Sequence, residues 1–212
     1  MFSMKCTVPG LDESIFLHRY FNILEPIYNP YFDQFDDILY VDTDVIADPD
    51  AENIFDLPKN QNTDVVGIYE SPQGDSFPGH YTLKFQTKFI SKYLRFDVPI
   101  LRKRFEQINT GVIIFTKKGR LKARKTFDDW LPWVNDPEGS SSLNNDQPFL
   151  NAMFDKHRFN VLAIGDEWNM PPSWYRTSPC PKSHFYHFSG GSLDGLITSF
   201  EGDNMPAGKK FP

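Results

Sequence analysis

The sequence predicts an α/β fold, a mostly parallel central sheet flanked by helices, and three observations predict it. Four short apolar runs end at polar or acidic residues, as strands buried on both faces do. Segments with helical spacing separate several of them, and that alternation favours parallel strands. With 212 residues, 40% of them hydrophobic, the chain has material for one substantial core, so residues 1–212 are expected to form a single domain.

In chain order, Leu11 to about Tyr28 reads as a helix. Asp12 is its N-cap, Ile15, Phe16, Arg19, Ile23 and Ile27 recur at helical spacing, and Asn29-Pro30 ends it. Ile38-Leu39-Tyr40-Val41 is the first strand. Asp48-Pro49 predicts a cap opening a short helix through Ile54 and Phe55. Residues 64–69 and 111–115 are two further buried strands. The roughly forty residues between them are too many for an idle loop. Gly119 to about Val134 is an amphipathic helix, 136–145 a polar turn, and 146–155 another helix. Val161 to Ile164 forms the fourth strand, and the chain from Gly190 onward is irregular.

Charge and cysteine usage exclude several roles. A net charge of −6 disfavours nucleic acid or anionic membrane as a general partner. Cys6 and Cys180 lack the spacing of a zinc site and read as free thiols in a reducing compartment. No segment reads as a signal peptide or approaches the ~18 apolar residues of a membrane helix, so a soluble, cytoplasmic protein is expected. At 16% aromatic, the chain has rings enough for a Phe-rich core or, less simply, for a concave site that stacks a ligand on aromatic planes.

In open α/β sheets ligands gather where strands end. After Ile38–Val41 comes Asp42-Thr43-Asp44, and on an extended backbone residues i and i+2 project to the same side. Two carboxylates so close repel each other, so a hard divalent cation, Mn²⁺ or Mg²⁺, is expected between them; it would also bind a diphosphate. Ile108-Asn109-Thr110-Gly111 sets a polar side chain before a glycine that permits close approach. Asn144-Asn145-Asp146-Gln147 lies at a helix start, where Asp146 could be simply the N-cap. His187-Phe188-Ser189-Gly190-Gly191 places an imidazole before a glycine pair.

Taken in order, Arg19, I-L-Y-V-D-T-D, I-N-T-G-V, N-D-Q and H-F-S-G resemble the family-8-like glycosyltransferases of GT-A fold, the group of glycogenin and the bacterial lipooligosaccharide galactosyltransferases. The resemblance runs over roughly residues 11–191. It implies a retaining, metal-dependent enzyme that moves a sugar from a UDP-sugar to a glycan or other hydroxyl acceptor. It further implies Asp42, Asp44 and His187 as metal ligands, and Arg19, Asp42, Asn109 and Gly190 as donor-binding residues. Asp146 and Gln147 would carry the catalysis beside the anomeric carbon.

The sequence departs from that pattern in two places. The family continues H-x-x-G-x-x-K, and Leu193 stands at the lysine position. Its opening β-α-β unit takes roughly 30 residues, whereas only about ten precede Leu11, so a shortened nucleotide-binding part, or a fragment, is expected. Two alternatives stay open at this point. Ile38 through Val45 also fits the nucleophile strand of a haloacid-dehalogenase-like phosphatase, although the later acidic pair is incomplete: Met170 holds the second position and Asn169 falls one short. A non-catalytic carbohydrate-binding subunit is the other. The basic run Lys117, Lys118, Arg120, Lys122, Arg124 and Lys125 reads as a solvated helix face or, less simply, as a surface for an anionic acceptor.

Overall fold

A computed structural model of the chain describes residues 8, 10, 22–69, 108–130, 146–169 and 183–187. Along them run helix α1 (Glu25–Tyr28), strands β1 (Asp37–Val41), β2 (Val45–Ala47), β3 (Val65–Tyr69) and β4 (Ile108–Thr116), helix α2 (Lys117–Thr126), helix α3 (Gln147–Lys156), and strands β5 (Val161–Ala163) and β6 (Phe185–His187). The main sheet has the order β1-β4-β3-β5, and β2 pairs with β6 in a separate ribbon.

The α/β class holds, but the strand directions are mixed. β4 runs antiparallel to both β1 and β3, and only β3 and β5 pair in parallel among the described residues. The apolar runs left direction open, because a strand covered on both faces reads alike in either sense. Side chains alternate across the sheet with period two. Val65, Ile113 and Phe115 enter a core shared with Ile27, Ala123, Phe127, Phe149 and Met153, while Val66, Ile68, Val112 and Ile114 pack with Ile54, Trp168 and Phe185 on the other face.

Several boundaries move. The first helix ends at Asn29 as expected, and its start at 11–21 lies outside the described residues. Asp48-Pro49 opens no helix: Asp48 Oδ1 accepts the Asp50 N–H at 2.9 Å in a local turn, and the short 3-10 turn at Ile54–Asp56 is capped instead by Asn53. Helix α2 begins two residues earlier than expected. Thr116 is its N-cap and accepts the Gly119 N–H, and a Cβ at Gly119 would collide with the Asp64 carbonyl.

The basic run on α2 divides: Arg120, Lys122 and Arg124 turn to internal partners, while Lys117, Lys118 and Lys125 are exposed. Arg120, 1% exposed, donates to the carbonyls of Phe32, Phe35, Asp36 and Phe115. Arg124 forks onto Asp33 at 2.7 and 3.0 Å, Lys118 reaches Asn62 O, and Lys122 reaches Asp64 at 2.9 Å and Arg158 O at 2.7 Å. These contacts engage Arg120, Lys122 and Arg124, and Lys117 and Lys125 stand on the solvated face.

Burial works to raise the Asp64 carboxyl, but the Asn160 N–H, Lys122 and Lys118 outweigh it and hold it below its ordinary value. A depressed acid contributes its full stability above the unfolded value and loses it as pH falls. Lys122→Met is expected to cost about 1–3 kcal/mol at neutral pH, and the gap from wild type should narrow as pH falls below the ordinary carboxyl value of about 4, in thermal melts across that range.

Candidate metal centre and donor site

Strand β1 ends at Val41, and the chain turns at once. Asp42 N–H donates to Gly111 O at 2.8 Å, which extends the β1–β4 ladder by one bond, and Val45 N–H returns to Asp42 O at 3.1 Å. Asp42-Thr43-Asp44 is therefore a tight turn and not the extended tip that the i, i+2 argument assumed. The two carboxylates still converge, because the turn carries the chain from the main sheet into β2. His187, at the end of β6, pairs with Val45 directly after that turn.

These placements bring one ligand atom each from Asp42, Asp44 and His187 within 4.8 Å of one another. His187 Nε2 lies 3.4 Å from Asp44 Oδ1 and 3.9 Å from Asp42 Oδ2, and the residue is 5% exposed. Two carboxylate oxygens suit either Mn²⁺ or Mg²⁺, and the imidazole nitrogen favours Mn²⁺ of the two. The charges bear on each other. Burial, with the neighbouring Asp44 charge adding to it, pushes the Asp42 carboxyl up despite the opposing His187 and Tyr40. The adjoining His187 imidazole holds Asp44 below its ordinary value, against the opposing effect of burial.

Asn109, Thr110 and Gly111 lie on β4 beside this triad. A Cβ on Gly111 would overlap the His187 ring, so the close approach that glycine permits here is that of the imidazole. Asn169 links the two: its side chain donates to Asn109 Oδ1 at 2.8 Å, and its oxygen lies 2.8 Å from His187 Nδ1.

Helix α3 is clamped to the start of β4. Asn151 accepts the Ile108 N–H at 2.8 Å and donates to Ile108 O at 2.9 Å, and Gln147 Oε1 accepts the Thr110 N–H at 3.2 Å. Asp146 stands at the N-cap position but makes no capping bond; its carboxylate takes the Thr110 hydroxyl instead. Burial first, and the Asp42 charge second, push its pKa up to about 7. Asp146 is thus held in the field of Asp42, and plain helix capping does not account for it.

Tyr40, Thr110 and Asn169 were assigned no part in this site from the sequence. Tyr40 could have been assigned one, since it stands two residues before Asp42 and hydrogen-bonds it; burial raises that phenol above its ordinary value. Asn169 carries no motif, and only its position after Trp168 places it. That indole is buried and stacks on His184 at 4.0 Å, which anchors the chain on either side of the site. Arg19 and Gly190 lie outside the described residues.

Residues 12–192 match the profile of glycosyl transferase family 8. The chain belongs to that family. Membership displaces the phosphatase reading of Ile38 through Val45, and it agrees with the mixed α/β, GT-A type sheet. No curated protein sequence matches this family 8 chain. Among solved structures it is similar to WbbM, a bifunctional glycosyltransferase in its apo form, with TM-score 0.46 and 15% identity over 82% of this chain and 31% of that one. It is also similar to the galactosyltransferase LgtC in complex with donor and acceptor sugar analogues (TM-score 0.44, 15% identity, 81% of this chain and 58% of that one). A third is mouse xyloside xylosyltransferase 1, apo form (TM-score 0.41, 14% identity, 82% and 72%). The family 8 chain thus spans less than two thirds of the first two. Among the described residues no helix is long and apolar enough to cross a membrane.

Proposed function

We propose that residues 1–212 act as a single catalytic domain that moves a sugar, with retention, from a UDP-sugar to a glycan or other hydroxyl acceptor in an Mn²⁺- or Mg²⁺-dependent reaction. The observation that carries this reading is the convergence of Asp42, Asp44 and His187 within 4.8 Å at the end of β1. A divalent cation held there supplies positive charge opposite the negative charge that builds on a departing nucleoside diphosphate.

The chain's own residues do the rest. Asp42 approaches the donor ribose as well as the cation, and Arg19, Asn109 and Gly190 contact the donor. Asp146 and Gln147 face the anomeric carbon, where a developing oxocarbenium centre needs oxygen atoms close by. The environment of Asp146 suits that task. Its ionisation is opposed by burial and by Asp42, and neutralising Asp42 favours the anionic form. Gln147 is oriented by the Thr110 N–H.

The test is a donor screen that measures released UDP across common UDP-sugars with and without Mn²⁺, alongside calorimetry of UDP. Mn²⁺-dependent release from one donor is expected. If UDP produces no metal-dependent heat and no donor is turned over, the non-catalytic subunit reading replaces this one.

A second variant probes the packing beneath the triad. Gly111→Ala is expected to drive the His187 ring from its place and to weaken Mn²⁺ binding by about tenfold or more, read as free Mn²⁺ by electron paramagnetic resonance.

A further inference from the structure

The hydrogen bonds behind His187 form a directed chain whose first member is a backbone group. Gly111 N–H can only donate, and it donates to Asn109 Oδ1 at 2.9 Å. That identifies the atom at this point as the oxygen of Asn109. The same oxygen receives a bond from Asn169 at 2.8 Å, so Asn169 must present its NH₂ group there. Its own oxygen then faces His187 Nδ1, 2.8 Å away. An amide oxygen only accepts, so Nδ1 carries the hydrogen, and in a neutral ring Nε2 is left with its lone pair. Nε2 is the nitrogen that looks onto Asp42 and Asp44.

We propose that Asn169, oriented through Asn109 by the Gly111 amide, is a positioning residue that holds His187 as its Nδ1–H tautomer and so keeps Nε2 open for a divalent cation. The inference rests on the metal-site reading above, and it gives Asn169 a part in it. The opposing influence is Asp44. Its carboxylate lies 3.4 Å from Nε2 and would draw the proton onto that nitrogen, where the proton would have to leave before a metal could bind. That 3.4 Å separation is longer than a normal N–H···O bond, whereas the 2.8 Å contact to Asn169 is a normal one. Asn169 is 1% exposed, so water does not compete for the Nδ1 proton there.

The orientation argument separates substitutions of similar size. Asn109→Asp keeps an oxygen where both bonds need an acceptor, so the relay survives. Asn169→Leu fills the space and removes the acceptor. The experiment is long-range ¹H–¹⁵N correlation on ¹⁵N-histidine-labelled protein without metal, at about pH 8.5, where ordinary imidazoles are neutral. The chain has five histidines, and the His187 signals are identified by their loss in His187→Gln. Free Mn²⁺ is measured in parallel by electron paramagnetic resonance.

Wild type and Asn109→Asp are expected to show the Nδ1–H tautomer. Asn169→Leu should shift the proton towards Nε2 and weaken Mn²⁺ binding by about 10- to 100-fold. An Nε2–H signal in wild type overturns the proposal. So does Asn169→Leu with unchanged tautomer and unchanged Mn²⁺ affinity. If Asn169→Leu does not fold, the wild-type and Asn109→Asp spectra still decide the tautomer. A wild-type Nδ1–H signal with no Mn²⁺ binding overturns the metal reading alone, so the two failures are distinguishable.

Discussion

Asp44→Ala is expected to lose Mn²⁺-dependent UDP binding and to lower sugar transfer by about a thousandfold, with thermal stability nearly unchanged. The carboxylate lies in the turn after β1, where its side chain is 31% exposed, so its removal opens no cavity in the core. Asp42 and His187 alone leave the cation one negative charge short, opposite a diphosphate that is itself anionic. His187→Ala is milder, because a neutral ligand is lost and both carboxylates remain. Calorimetry of UDP with and without Mn²⁺ reads binding, and a thermal melt reads folding. An Asp44→Ala protein that binds UDP with Mn²⁺ as wild type does would sink the metal assignment.

Asp146→Asn is expected to separate stability from function. Burial and the charge of Asp42 favour the protonated form of Asp146 and raise its pKa to about 7. The sign follows from linkage. Between the unfolded carboxyl value, about 4, and about 7 the folded chain holds a proton that the unfolded chain has released, so the stability of the metal-free protein falls as pH rises through that window. Asparagine is neutral throughout and can still accept the Thr110 hydroxyl. The variant should therefore be more stable than wild type by on the order of 2–4 kcal/mol at pH 8, with the gain vanishing near pH 4. It should also lose transfer by at least about a hundredfold, since an amide stabilises a cationic centre far less than a carboxylate. Metal-free melts at the two pH values, together with UDP release at pH 7, test both halves. A variant no more stable than wild type at pH 8 would show that the carboxyl is not strained.

Much of the site was legible because its residues sit next to apolar runs. Ile38–Val41 marked the strand, and the two acids after it marked its end. Gly111–Phe115 marked the middle of β4, which begins three residues earlier so that Asn109 lies on the strand, and His187 stood out as an imidazole before a glycine pair. The unreadable parts have physical causes. Strand direction is invisible in a run that is buried on both faces. Strands β2 and β6 have three residues each, too few for a period to show. Asp48-Pro49 imitates a helix cap because the side chain that caps a helix also closes a local turn. Asn169 acts through the orientation of one amide, and no spacing rule encodes that.

The three-residue pairing of β2 with β6 is slight for a structural unit, since two strands alone are marginal in water. Yet this ribbon carries His187, whereas Asp42 belongs to the end of the main sheet. An ion gripped by both would act as a rivet across the seam between them. Phe185, buried beside Trp168 and Val66, already seats the ribbon, and a bound ion would tighten that joint further.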